Sequence, residues 1–305
     1  MSSSIHTAAN RRGMACMSAA MVCFVINDML MKKLGESLPL AQLIFVRGIV
    51  ASLLVLVAAH ATGATRHLAA VTDRRVLLRA LIDAVGSLVF LASLMHLPLA
   101  NATAINLASP LVIVVLAVLV QGERPGPTRW LAVAAGFAGV LLIVQPSAAG
   151  FSGWAWVCLA GTLCHASRDL MTRRIGASVP ALMVTLANAV SVTAAAGLWM
   201  STSGWQPIGW PQGALVLLTA TLLSAGYWLI VLAMQAGEMS VVAPFRYVAL
   251  LAALLLGWLV WGDLPNALAS GGIVLLLAAG VYLLHEQRAA AAARAVVAAG
   301  PAGGG

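Results

Sequence analysis

The sequence predicts an all-α membrane protein of ten transmembrane helices, arranged as two inverted five-helix repeats. Three observations predict it. Of 305 residues, 62% are hydrophobic and 9% charged, whereas a soluble domain carries about 25% charge and could not cover its surface with so few. The apolar runs are as long as bilayer spans. And one stretch is written twice: residues 23–39 read CFVINDMLMKKLGESLP, and residues 164–180 read CHASRDLMTRRIGASVP. Asp28 answers Asp169, Lys32 and Lys33 answer Arg173 and Arg174, and Gly35, Ser37 and Pro39 answer Gly176, Ser178 and Pro180. The echo continues with Gly86 against Gly226, and with GERP at 122–125 against GDLP at 262–265. Solenoid units run to about 20–50 residues, so these longer copies are two halves of one body.

A first repeat, 1–150, holds spans at about 13–33, 38–60, 76–96, 100–121 and 127–145. A second, 151–288, holds spans at about 153–172, 179–200, 211–235, 240–261 and 267–285, and an unstructured Ala/Gly-rich tail is expected at 289–305. The connections are short except at 61–75 and 201–210, which are equivalent places in the two halves. Helices are the reasonable spans, since open sheet edges cannot be satisfied in hydrocarbon. Cys16, Cys23, Cys158 and Cys164 fall inside apolar segments and read as free thiols packed like small hydrophobes. The first apolar segment belongs to its repeat, so a cleaved signal peptide is not expected.

Orientation follows from Lys and Arg at the span ends. With the N-terminus inside, Arg11, Arg12, Arg66, Arg74, Arg75, Arg79, Arg124, Arg129, Arg173, Arg174, Arg288 and Arg294 are cytoplasmic, and only Lys32 and Lys33 lie outside. Trp154, Trp156, Trp199, Trp205, Trp210, Trp258 and Trp261 fall near the same outer interface, where amphipathic rings settle. An odd number of spans per repeat inserts the second copy upside down. Inverted repeats of this kind build many secondary transporters, with a substrate site near the bilayer midplane.

The duplicated unit, the Asp-x-x-x-Lys/Arg pattern at Asp28 and Asp169, and Gly-Glu/Asp-x-Pro after the fourth span of each unit resemble the EamA domain of the drug/metabolite transporter superfamily. The resemblance covers nearly the whole chain. It implies a central cavity lined by the first four helices of each half, with the fifth at the periphery. It also implies roles for Asp28, Arg47, Glu123, Asp169 and Asp263; at Asn188, the counterpart of Arg47, the charge is absent. The membrane implied is the bacterial inner membrane, with both termini cytoplasmic.

Charges well inside a span are costly and usually face a cavity or a partner. Asn27, Asp28, Arg47 and Asn106 are placed in the outer third of their spans, and their counterparts Arg168, Asp169, Asn188 and Arg246 in the inner third. They read as two polar clusters, either gating and binding groups or static ion pairs, with Asp28–Arg47 and Asp169–Arg246 as the expected partners. Asp83, whose counterpart is Leu223, reads as an unpaired carboxylate, a group for proton coupling or for contact with a substrate ammonium, or else a packing residue hydrogen-bonded to a neighbouring helix. His165 is a candidate relay group or a packed histidine, and Trp228 is a candidate stacking platform or a core ring. Glu123 and Asp263 read as turn-forming groups. Pro110 and Pro244 interrupt the backbone ladder, which is tolerable beside protein or a wet cavity. Gly136, Gly139, Gly272 and Gly280 permit close helix approach.

No nucleophile–base array, metal-ligand spacing or phosphate-binding loop stands out, so neither an enzyme nor a cofactor is expected. The net charge of +8 reads as cytoplasmic-loop charge rather than nucleic-acid affinity. The expected partners are a small-molecule substrate, membrane lipid and protons, in a monomer or homodimer. Acid and Arg together suit a zwitterion such as an amino acid, with export the expected direction. The alternatives are uptake of a vitamin or other aromatic metabolite, multidrug efflux, and, further off, a membrane enzyme or scaffold.

Overall fold

In a computed structural model, residues 2–122, 126–145, 152–172, 179–236 and 239–299 are described, and among them every regular element is helical. In chain order these are α1 (Ser2–Gly35), α2 (Leu40–Ala61), α3 (Arg74–Leu94), α4 (Leu99–Asn106), α5 (Ser109–Gln121), α6 (Pro127–Val144), α7 (Trp154–Thr172), α8 (Ala181–Ser203), α9 (Trp210–Ala236), α10 (Met239–Val242), α11 (Val248–Trp261) and α12 (Ala267–Ala299). Two 3-10 segments, Ala64–Thr72 and Ala243–Tyr247, stand before α3 and α11.

Local chemistry sets these boundaries. Pro39, Pro98 and Pro180 precede α2, α4 and α8, where the fixed proline φ and missing N–H do no harm. Asp73 caps α3 by accepting from the amides of Arg75 (2.8 Å) and Val76 (3.4 Å). Gly122 and Gly262 close α5 and α11 at φ 67° and 71°, a left-handed conformation that glycine adopts without a Cβ penalty. The two copies of the Gly-acid-x-Pro motif therefore begin with the same cap; Glu123 itself lies outside the described residues. The fourth apolar segment is broken between Asn106 and Ser109, next to Pro110, and the ninth passes from α10 through a 3-10 turn around Pro244 before α11.

Among the described residues eight spans are long and apolar enough to cross a membrane, counting α4 with α5 as one and the 3-10 turn at Ala243 with α11 as another. α7 is not among them, because His165, Arg168 and Asp169 lower its hydropathy, and α12 is apolar only over Ala267–Leu283. Large apolar side chains such as Val57, Leu119, Leu131, Leu198 and Val274 stand on the outside, a surface that suits lipid and not water. The chain is a multi-pass membrane protein. The Ala-rich stretch beyond 289, unstructured by composition, is helical through Ala299, in keeping with alanine's high helix propensity; 300–305 and the basic pair Arg173 and Arg174 lie outside the described residues.

The most extensive helix contacts join elements of the two sequence copies. α1 packs on α9, α2 on α8, α3 on α7 and α6 on α12. Small residues make the approaches possible. A Cβ at Gly139 would stand 2.7 Å from the carbonyl oxygen of Gly272, and one at Gly161 3.1 Å from the amide nitrogen of Phe90. Lipid tails are as apolar as leucine, so such packing is what holds membrane helices together. Met17, Met31, Leu43, Ile44, Leu94, Leu99, Ile105, Leu111, Leu250 and Leu276 are fully buried and belong to one core cluster.

Candidate functional site

The two broken helices and the close crossings leave a cavity of about 460 Å³ in the middle of the bundle. Asn27, Asp28, Arg47, Asn106, His165, Arg168, Asp169, Asn188 and Arg246 all line it, and Asp83 and Trp228 do not. Asn106 and Arg246 sit where α4 ends and within the 3-10 turn, so the interrupted backbone faces the same space.

The pairing differs from the expected one. Arg47 does not bond Asp28 directly. Its Nη1 donates to Asn27 Oδ1 (3.2 Å), and Asn27 Nδ2 donates to Asp28 Oδ1 (2.9 Å). Asn27 thus bridges a cation and an anion, and both Asn27 and Arg47 are buried. Asp169 is bound not by Arg246 but by its neighbour Arg168, at 2.9 Å.

Asp83 is not unpaired. It is fully buried and its Oδ1 accepts from Nη1 of Arg168. The reason is the α3–α7 crossing. A Cβ at Gly86 would lie 2.8 Å from Cβ of Cys164 and one at Gly161 3.2 Å from the carbonyl oxygen of Gly86, so the long Arg168 side chain reaches across to α3. Arg79 Nε uses the same seam to donate to Thr172 Oγ1 (2.8 Å).

His165 is hydrogen-bonded: its Nδ1 lies 3.0 Å from Asn106 Oδ1, and its ring tilts on Phe90 at 5.9 Å. Trp228 is 64% exposed and points away from the cavity. Its neighbour Tyr227 takes the cavity wall, in edge contact with Phe24 at 5.2 Å. Sequence reasoning missed Phe24, Phe90 and Ser224 on this wall. One signal was available for Phe24, which occupies the repeat position of His165 and packs on Gly226 as His165 packs on Gly86.

One end of the cavity is capped. Beyond Asp28, Met31 and Leu34 of α1 are buried, and Lys32 donates to the carbonyl of Leu97 and lies over the Trp261 ring at 5.2 Å. Gln42 Nε2 donates to the carbonyl of Gln206 (2.6 Å), while its Oε1 accepts from the Gln206 amide (3.0 Å). Trp261 Nε1 donates to Glu36 (3.0 Å), and the Lys33 ammonium does so at 2.6 Å. These bonds, from Lys33 first and then Trp261, hold the exposed Glu36 carboxyl below its usual range. His96 stacks on Trp154 at 4.0 Å at the same end.

Among the described residues no three His, Cys, Asp or Glu side chains could hold a metal ion, and the four cysteines are free. Residues 11–145 match the model of the EamA-like transporter family. The chain is 31% identical over 192 residues to a riboflavin transporter of Rhizobium johnstonii, an alignment that spans 63% of each chain. It is 25% identical to the pseudopaline exporter CntI of Pseudomonas aeruginosa, over 82% of this chain and 88% of the relative. An S-adenosylmethionine uptake transporter of Rickettsia prowazekii is 23% identical over 84% of this chain and 86% of its own. A crystal structure at 18% identity has the same fold, with a TM-score of 0.61 over 93% of this chain and 99% of that one.

Proposed function

We propose that this chain is a secondary transporter that moves a small zwitterionic metabolite, an amino acid or related amine, outward across the bacterial inner membrane by alternating access. The reading has ten spans. α7, 19 residues long, is about 28 Å at 1.5 Å per residue, and its polar side chains are spent on the cavity. The apolar part of α12 completes the set. The contact pattern supports two inverted repeats: α2–α8 and α6–α12 join corresponding segments, and α1–α9 is the counterpart of α7–α3. With the N-terminus inside, the capped end faces outward.

The observation that carries the zwitterion is the Arg47–Asn27–Asp28 bridge on the wall of one shared cavity. A cation and an anion held apart by an amide leave room for a carboxylate at one and an ammonium at the other. Protons are the expected coupling ion, and relatives named for export and for uptake fit a carrier that such a gradient can drive either way. A second reading, transport of a flat vitamin, is favoured by the Phe24, Phe90 and Tyr227 wall and by the riboflavin-transporter relative.

Proteoliposome counterflow with labelled amino acids and with riboflavin separates the two. Amino-acid exchange that is lost in Arg47→Gln while the protein still folds supports the first reading; riboflavin exchange alone supports the second. No exchange of any solute, across a pH gradient or without one, overturns both. Cysteines placed at Lys33 and at its repeat counterpart Arg174 are expected to label from opposite faces, and labelling from one face removes the inverted repeat.

A further inference from the structure

Buried polar atoms normally have partners, and those without one call for an explanation. Three such atoms belong to residues on the cavity wall: Nε of Arg47, Oδ1 of Asn188 and Oγ of Ser224. A fourth, the Tyr247 hydroxyl, is lodged against Gly280 of α12 and so is turned to a helix. The three come from α2, α8 and α9. α2, which carries Arg47, packs on both α8 and α9, which carry Asn188 and Ser224.

The part of the wall supplied by α7 is different in kind. Arg168 is already engaged by Asp83 and Asp169, and His165 by Asn106. The cavity wall therefore has a satisfied part and an unsatisfied one. Arg47 and Asn188 are also repeat counterparts: at the same place in the two copies, one offers a charged donor and the other a neutral acceptor.

We infer that Arg47, Asn188 and Ser224 form a head-group subsite for a carboxylate whose neighbouring carbon carries a hydrogen-bond donor. The inference rests on the transport reading above and names the end of the substrate that this part of the wall selects. The carboxylate accepts from Arg47 Nε and the Ser224 hydroxyl. The donor on the adjacent carbon is met by Asn188 Oδ1, and where that donor is an ammonium its charge is balanced by Asp28 on the same cavity wall. The body of the molecule lies along Phe24 and Leu91 in the remaining volume, which is of the size that holds drug-sized ligands. Arg246, half-buried on the wall, does not supply the anchor.

The test is melting of the purified full chain in detergent, with L-phenylalanine, L-methionine and L-lysine, each beside its amide. The acids are expected to raise the melting temperature and the amides to do so far less. Arg47→Gln is expected to weaken acid binding about tenfold to a hundredfold, the range for a charge-assisted hydrogen bond, and Arg246→Gln much less. A second arm needs no ligand. Atoms kept unpaired for a substrate cost stability when it is absent, so Asn188→Leu and Ser224→Ala are each expected to raise the melting temperature of the empty protein. Amides that match acids in the wild type, or both substitutions lowering the ligand-free melting temperature, overturn the subsite while leaving transport untouched. If no probe binds, the zwitterion reading fails, and the two ligand-free melting temperatures alone decide the subsite.

Discussion

Asp83 and Arg168 offer the sharpest test of how the bundle is held. Asp83 has no solvent exposure, and Arg168 reaches it from another helix. Removing one partner of a buried pair costs about 3–5 kcal/mol when the other charge is stranded. Here it is not fully stranded, because Asp169 remains 2.9 Å from Arg168 with its side chain 31% exposed. The loss from Asp83→Leu therefore falls to that of a charged hydrogen bond, about 1.5–3 kcal/mol. Asp83→Asn keeps an oxygen facing the guanidinium and sits at or below the lower figure. The double variant Asp83→Leu/Arg168→Met is expected to be more stable than the sum of its parts, since removing both members of a buried pair is often neutral. Unfolding in mixed detergent–SDS micelles measures all four species. Asp83→Leu within about 0.5 kcal/mol of wild type, or strict additivity in the double variant, refutes the pair. Flux measured on the same samples as a function of pH adds a functional arm: a pH profile altered in Asp83→Asn without loss of stability returns Asp83 to a proton-coupling role.

At the capped end, Gln42→Ala removes two hydrogen bonds to the backbone of Gln206, for a loss of about 1–3 kcal/mol; faster labelling of a cysteine introduced at Met31 reads the loosened cap. The Glu36 carboxyl is held below its usual range, so its stabilising contribution is complete above the ordinary glutamate pKa of about 4.3 and fades as the pH falls through the depressed value. Glu36→Gln is expected to melt below wild type at pH 7, and the gap is expected to close toward pH 3; a gap that widens on acidification refutes the assignment. Gly139→Leu forces a side chain against the backbone of α12, where a Cβ alone already falls 2.7 Å from the Gly272 carbonyl, and overpacking costs about 1–3 kcal/mol or more; wild-type melting would show that the two helices do not touch there.

Much of the arrangement can be read from residues alone, and the reasons for the rest are physical. Asn27, Asp28, Arg47 and Asn188 stand out because a polar side chain inside an apolar run has few places to go but inward. Who bonds whom is another matter. Asp28 and Arg47 looked like partners by depth, yet Asn27, one residue away on α1, intervenes. Asp83 looked unpaired because its repeat position is Leu223; its partner lies on another helix and is delivered by two glycines at a crossing. Trp228 reads from sequence as either a stacking platform or a core ring, yet it is Tyr227 that lines the cavity. The two differ by one residue, about 100° around the helix, and a segment apolar on every side gives no periodicity to say which way it faces.

Where Gly139 and Gly272 meet, two main chains touch without a side chain between them, and Leu142 and Leu276 flank the point of contact. Sliding one helix along the other would drive those leucines into a peptide plane, whereas tilting about the contact displaces almost nothing. A joint of that shape behaves as a fulcrum and not as a rail. Any swing of the bundle that starts from α6 and α12 leaves these two nearly still and gives the longest lever arm to the helices farthest from them.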